Sequence, residues 1–203
     1  IVTGNHKKAE DASSLYYLGV CYMKQDRIDE ALDLLYRATW DYAWTCAGYT
    51  LAAQLEGRKG NWEKALDAAE RAYKANTQNV EALTAMAIVL HQLGNYEGAL
   101  EAATRALDID PLCFVAMNEL LVLGSRLPVD YTEKEFVRHL RTEPYNYIET
   151  AARYSDFGLY AEAAAVMSVA ASSPEPTLNA YPMVYYHLGM YLDLSGKGQE
   201  AET

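Results

Sequence analysis

Apolar and small residues recur with a helical period in paired runs, most regularly between Val80 and Cys113. Ala87 lies in a first run, and Ala99 opens a series of alanines at spacings of four and three in a second run, so each series falls on one helix face. Short side chains at these positions allow two helix axes to approach to roughly 8 to 10 Å. Gly94 separates the runs, and Pro111 follows the second run, where a helix should end. The pattern predicts a helical hairpin.

The hairpin recurs along the chain. Ala31, Ala65 and Ala99 are separated by intervals of 34 residues, and Gly60 and Gly94 have the same spacing. Glycine readily adopts a left-handed conformation, so each glycine should end a first helix and allow a second to begin. The period predicts stacked copies of one two-helix unit.

The residues at this period resemble the tetratricopeptide repeat, which places Leu-Gly, Tyr, Ala, a large apolar residue, Ala and Pro at fixed offsets. The first copy supplies Leu18, Gly19, Tyr22, Ala31, Leu35 and Ala38. The third copy supplies Ala87, Ala99, Ala106 and Pro111. The resemblance implies an all-α fold, a right-handed α-solenoid of helical hairpins.

The pattern also gives repeat boundaries. Residues 1–11 are interpreted as a tail or the remnant of an upstream element, and residues 12–203 as a single array. The expected repeats are 12–45, 46–79, 80–113, an irregular 114–143, 144–177 and a truncated 178–203.

Local signals refine several of these repeats. Asp26 is a candidate cap for the second helix of the first repeat. Glu56 stands in the second repeat where the family has Tyr. Pro128 forbids a continuous helix in the irregular repeat, and Thr132 and Glu135 have the spacing of a capping box at the start of a short second helix. The turn-rich stretch SSPEPTLNAYP is interpreted as a longer loop.

The second half resembles a narrower group. The order of EFVRHLRTEPYNYIETA, GLYAEAAAV and YPMVYYHLG within residues 80–203 is similar to the carboxy-terminal repeats of large bacterial proteins. Those proteins carry an uncharacterised β-rich domain upstream and are often linked to glycan metabolism. This resemblance implies that the chain belongs to a larger bacterial protein.

In the repeat family the first helices line a concave surface where ligands bind. Carrying those positions across implies a groove that is apolar and aromatic with scattered amides. Its residues are Tyr16, Val20, Met23, Thr50, Gln54, Thr84, Ile88, His91, Asn118, Val122, Tyr145, Ile148, Ala152, Tyr186 and Met190. The alternative, equally supported for each Tyr, is that the ring packs between repeats and keeps only its hydroxyl in water.

Some members of the family grip a terminal carboxylate with Lys, Asn and Arg side chains. The corresponding residues here are Tyr16, Val20, Leu51, Glu81 and Ala85. None of them is basic, and Glu81 would repel a carboxylate. The sequence therefore disfavours acidic peptide tails as ligands.

The charge balance excludes further partners. The chain has 28 acidic and 17 basic residues and a net charge of −11, which repels phosphate backbones and anionic membrane surfaces. No run approaches the roughly 20 apolar residues that span a bilayer. We expect no nucleic-acid partner and no membrane insertion.

Candidate chemistry is sparse. Cys21, Cys46 and Cys113 show no zinc-type spacing and are predicted to be buried thiols. The histidines are scattered without a second ligand at helical spacing, at His6, His91, His139 and His187. No phosphate-binding loop or nucleophile motif is present. We expect no enzymatic activity, no metal and no cofactor.

These patterns favour a protein-protein interaction or assembly module of a larger bacterial protein, which binds a peptide or a partner domain on the concave groove. The alternative is an accessory repeat region of a carbohydrate-active or glycan-binding protein. Glycan binding would require exposed, coplanar aromatic rings, whereas a peptide groove would mix apolar pockets with amides. The sequence leaves open the identity of the partner, the oligomeric state and the cellular compartment.

Overall fold

The computed structural model describes residues 11–197, and all regular secondary structure in that range is helical. The predicted all-α class is confirmed. Residues 1–10 and 198–203 lie outside the described residues, and so do His6 and the end of the last predicted repeat. The twelve helices of the described range are α1 (Ser13–Lys24), α2 (Ile28–Ala38), α3 (Tyr42–Arg58), α4 (Trp62–Ala75), α5 (Val80–Gln92), α6 (Tyr96–Ile109), α7 (Phe114–Leu123), α8 (Glu133–Leu140), α9 (Pro144–Asp156), α10 (Tyr160–Ala171), α11 (Pro176–Asn179) and α12 (Pro182–Leu194).

The chain divides into two compact units, Ile1–Ala102 and Ala103–Thr203, and the boundary falls within α6. In the first unit, α1 packs on α2, α3 on α4, and successive hairpins meet through α2 with α3 and α4 with α5. In the second unit, α9 packs on α10, and α12 packs on both. The single array over residues 12–203 stays a prediction.

The alanines of the 34-residue period are buried. Ala31, Ala65 and Ala99 have no exposed surface, so each lies in a helix contact, as the small-residue pattern predicts. At Gly19 a Cβ atom would lie 3.0 Å from Leu35 Cγ, which shows how closely α1 and α2 approach. The small side chains therefore set the spacing of the helices.

The predicted left-handed breaks are confirmed at Gly60 and Gly94, with φ angles of 75° and 76°. Asp26 occupies the same place before α2, with a φ of 58°. The interpretation of Asp26 as a helix cap is wrong, because the N-cap residue is Arg27 and no side chain caps α2. Asp26 instead takes the left-handed position that Gly60 and Gly94 fill in the next two hairpins.

Replacing Asp26 with glycine should therefore stabilise the protein. A side chain in the left-handed region costs about 1 kcal/mol, so Asp26→Gly should raise the free energy of unfolding by up to that amount. The lost contact to Arg58 contributes little, because the two charged groups are 3.8 Å apart and the Asp26 side chain is 83% exposed. Urea unfolding measures the change. The control Asp29→Gly lies within α2 and should instead lower the free energy of unfolding by about 1 kcal/mol. A lower free energy of unfolding for both variants would contradict the left-handed position of Asp26.

Glu56, which replaces the aromatic residue of the repeat pattern, is buried near the end of α3. Its carboxylate accepts hydrogen bonds from Asn61 Nδ2 at 2.8 Å and from the hydroxyl of Tyr36 at 3.4 Å. Burial and the nearby Glu56 raise the pKa of Tyr36 to about 12. Polar contacts thus hold α3 in place where the repeat pattern has an aromatic ring.

The irregular repeat has the predicted short second helix. Thr132 and Glu135 form a reciprocal capping box, in which Thr132 N donates to Glu135 Oε2 at 2.8 Å. Helix α8 then spans only eight residues, and α9 begins at Pro144. The stretch predicted as a long loop before α12 is partly helical, because α11 forms within it. There Asn179 Nδ2 donates to the carbonyl of Ser173 at 2.9 Å.

The three cysteines differ in exposure. Cys113 is buried, Cys46 is half-buried, and burial raises the pKa of both thiols. Cys21 is exposed, so the prediction of a buried thiol is wrong there. The buried side of α1 is the stripe of Leu15, Gly19 and Met23 at intervals of four, and Cys21 lies off that stripe.

Candidate binding surfaces

Burial divides the predicted groove positions into two sets. Five are buried: Met23, Thr50, Gln54, Ile88 and Asn118. The second set is half-buried or exposed and consists of Tyr16, Val20, Thr84, His91, Val122, Tyr145, Ile148, Ala152, Tyr186 and Met190. Ile88 is only 2% exposed, and Thr50 Oγ1 donates to the carbonyl of Cys46 within its own helix. The five buried side chains pack inside the protein, and direct contact with a partner is a prediction only for the second set.

The second unit has exposed and half-buried aromatic and apolar side chains near the starts of α9 and α12, and we call this group the tyrosine patch. It comprises Tyr145, Tyr181, Met183, Tyr185 and Tyr186. Tyr145 is 58% exposed, Tyr185 50% and Tyr186 62%. The Tyr181 hydroxyl donates to the Tyr145 hydroxyl at 3.2 Å, and their rings are 6.1 Å apart at 60°. The group contains two predicted groove positions, Tyr145 and Tyr186, together with three residues that the prediction did not include.

Matching helix starts form the tyrosine patch. Pro144 and Pro182 begin α9 and α12, which suits proline because its fixed backbone angle fits the first helical turn. Glu143 caps α9 by accepting from Tyr145 N. Since α9 packs on α12, the equivalent starts bring Tyr145 next to Tyr181. The aromatic residues beside both prolines were the signal in the sequence.

Three aromatic rings meet in the first unit, and we call them the Trp44 cluster. Tyr16 stacks on Trp44 with ring centres 4.6 Å apart, and Tyr17 meets Trp44 edge-on at 5.5 Å. Tyr17 is 59% exposed. Of the three, only Tyr16 was predicted as a binding position. The sequence signal for Tyr17 and Trp44 was the density of aromatic residues in the stretches YY and WDYAW.

A buried polar cluster joins α7 to α9 in the second unit. The Tyr154 hydroxyl donates to Glu119 Oε1 at 2.7 Å and accepts from Asn118 Nδ2 at 2.8 Å. Burial, with a further contribution from Glu119, raises the pKa of Tyr154 well above its usual range. Asn118 therefore has a structural partner inside the protein.

The described residues contain neither a metal-binding group nor a membrane-spanning helix. Among residues 11–197, no group of three or more His, Cys, Asp or Glu side chains is arranged to hold a metal ion. The helices in that part of the chain are also too short or too polar to cross a membrane. The absence of a cofactor stays a prediction.

Sequence comparison decides the family. The family model described as tetratricopeptide repeat matches residues 2–43 and 50–112, more than half of the chain. The chain belongs to the tetratricopeptide repeat family. No curated protein sequence matches it.

Solved structures share this tetratricopeptide repeat fold. A tetratricopeptide repeat protein from Parabacteroides merdae is 18% identical, with a TM-score of 0.58 over 96% of this chain and 77% of its own. Pseudomonas aeruginosa pilF is 14% identical, with a TM-score of 0.55 over 94% of this chain and 87% of its own. At these identities the likeness concerns the fold alone, and it agrees with the predicted class of helical hairpins.

Proposed function

We propose that this tetratricopeptide repeat chain is a protein-binding module that takes a peptide or a partner domain, with the tyrosine patch as its main contact surface. The observation that carries the proposal is the exposure of three tyrosines, Tyr145, Tyr185 and Tyr186, on the adjacent helices α9 and α12. In a chain with a net charge of −11, a local surface of rings is easier to desolvate than the charged surface around it.

Tyrosine suits such a contact for physical reasons. Its ring supplies a large apolar area with few rotatable bonds, and its hydroxyl forms hydrogen bonds at the edge of an interface. In the tyrosine patch, the linked hydroxyls of Tyr145 and Tyr181 fix the two rings relative to each other. This hydrogen bond favours one arrangement of these two rings in the free protein.

A peptide fits this surface better than a glycan does. Sugar rings stack on exposed coplanar rings, whereas Tyr145 and Tyr181 are inclined at 60°. The resemblance of residues 80–203 to the repeats of large bacterial proteins supports an assembly role within a longer protein. We propose no catalytic activity for the chain.

Selection of peptides on the immobilised protein, followed by fluorescence anisotropy with the selected sequences, tests this proposal. Removing two interface tyrosines should weaken binding about 30-fold, because each such ring commonly contributes more than 1 kcal/mol. The variant Tyr145→Ala/Tyr186→Ala should therefore lose most of its affinity and keep its helical circular dichroism.

The matched control is Trp40→Ala/Leu112→Ala, which removes side chains that are 69% and 62% exposed and lie outside the tyrosine patch. That variant should bind normally. Equal losses in both double variants, or full binding by Tyr145→Ala/Tyr186→Ala, would place the contact surface elsewhere.

A further inference from the structure

Carboxylates lie at the helix starts beside the Trp44 cluster. Asp41 Oδ1 accepts from Ala43 N at the start of α3, and its Oδ2 accepts from Ala12 N at 3.2 Å, just before α1. Asp11 accepts from Ser13 N at 2.8 Å at the same end of α1. Both acids are therefore fixed next to the two helices that carry the rings.

A third carboxylate comes from α5. Glu81 lies in the first turn of that helix. Burial is the main cause of the raised pKa of Tyr16, and the charge of Glu81 adds to it. Burial likewise dominates the raised pKa of Cys46, again with a contribution from Glu81. Helix α5 packs on α3, and Glu81 in its first turn contributes to the raised pKa of one residue in each of α1 and α3.

Elsewhere in the first unit, two arginine side chains lie between an aromatic ring and a carboxylate. Arg27 lies 3.9 Å from the ring centre of Tyr22 and pairs with Glu30 at 2.9 Å. Arg71 lies 5.7 Å from the ring centre of Tyr49 and pairs with a neighbouring aspartate at 2.8 Å. In both cases a guanidinium is shared between an aromatic ring and a carboxylate.

We infer that the Trp44 cluster binds a basic peptide segment, with an arginine or lysine side chain against Tyr17 and within the field of Asp11 and Glu81. A cation over an aromatic ring is attracted by the electrons of the ring face, and the carboxylates add charge complementarity, which favours basic partners over acidic ones. The inference rests on the proposed protein-binding function and adds a second contact surface with its own chemistry.

Short fluorescein-labelled peptides test the inference on the full chain. The probes are repeats of Ala-Arg-Ser, Ala-Gln-Ser and Ala-Glu-Ser, titrated by anisotropy at low and at raised salt. The arginine peptide should bind most tightly, and its affinity should fall as salt rises. Tyr17→Ala should weaken its binding about three- to fivefold, because it removes the most exposed ring. Tyr17→Phe keeps the ring and should bind normally.

Glu81→Gln tests the charge. It should weaken binding about threefold, since one carboxylate close to the cation is lost. Glu63→Gln is the matched control, because Glu63 is the second residue of α4 as Glu81 is of α5, and the net charge changes equally. Tyr42→Ala removes a tyrosine that is 81% exposed outside the cluster, and it should also have no effect.

The failures are distinguishable. Equal losses from Glu81→Gln and Glu63→Gln would show only general attraction to an acidic protein and would overturn the inference. Equal binding of the arginine, glutamine and glutamate peptides would overturn the basic preference and leave the proposed protein-binding function intact. Normal binding of the arginine peptide by Tyr145→Ala/Tyr186→Ala, with the weakened binding expected for Tyr17→Ala, would support the inference whatever the outcome at the tyrosine patch.

Discussion

Ile88→Glu should destabilise the protein by about 3 to 5 kcal/mol, because it places a carboxylate without a partner where the native side chain is almost completely buried. Ile88 is 2% exposed in α5, and its neighbour Val89 has no exposed surface. The loss of apolar burial at Ile88 adds to the cost. Thermal and urea unfolding followed by circular dichroism should show a large fall in the midpoint, or no folded state.

Thr84→Glu provides the control on the same helix. Thr84 is half-buried one turn before Ile88, so its replacement should change the free energy of unfolding by less than about 1 kcal/mol. A melting temperature unchanged by Ile88→Glu would show that Ile88 lines an open surface and would contradict the packing of α5.

Tyr154→Phe should cost about 1.5 to 3 kcal/mol, because the buried Glu119 carboxylate loses a hydrogen-bond donor and Asn118 loses an acceptor. All three residues are buried, so water does not readily replace the hydroxyl. Urea unfolding measures the loss. Tyr185→Phe removes a hydroxyl from an exposed ring and should change stability by no more than about 0.5 kcal/mol. Equal effects would mean that the buried cluster contributes nothing specific.

The buried hydroxyl of Tyr154 also predicts how stability changes at alkaline pH. The unfolded chain ionises Tyr154 near its ordinary pKa of 10.0, whereas burial keeps the phenol protonated in the folded protein to higher pH. The contribution of Tyr154 to the free energy of unfolding is complete below pH 10. It declines as the pH rises above 10, since the unfolded chain then binds fewer protons than the folded protein. The Tyr154→Phe variant should therefore lose stability less steeply above pH 10 than the parent protein. Equal slopes would contradict the assignment.

The hairpins could be predicted from sequence because their determinants are local and periodic. Ala31, Ala65 and Ala99 recur at one interval and are all buried at helix contacts. The left-handed turns at Gly60 and Gly94 follow from the same period. A small residue at a crossing and a glycine at a turn each impose a conformation without reference to distant residues.

The binding surface could be predicted only in part, because exposure depends on which neighbours cover each helix. Ile88 and Asn118 occupy groove positions in the repeat pattern, yet both are buried. Asn118 finds its partner, Tyr154, 36 residues further along the chain. Likewise Trp44 reaches Tyr16 through the contact between successive hairpins. Contacts of this kind depend on tertiary packing, which the repeat period does not specify.

Hydrogen exchange of the protein with and without a selected peptide tests the central claim most directly. The first amides of a helix lack intrahelical partners and exchange quickly, so the starts of α9 and α12 should report binding sensitively. The account predicts slower exchange in residues 144–149 and 181–187 when the peptide is bound. Protection confined to α10, with residues 144–149 and 181–187 unchanged, would contradict it.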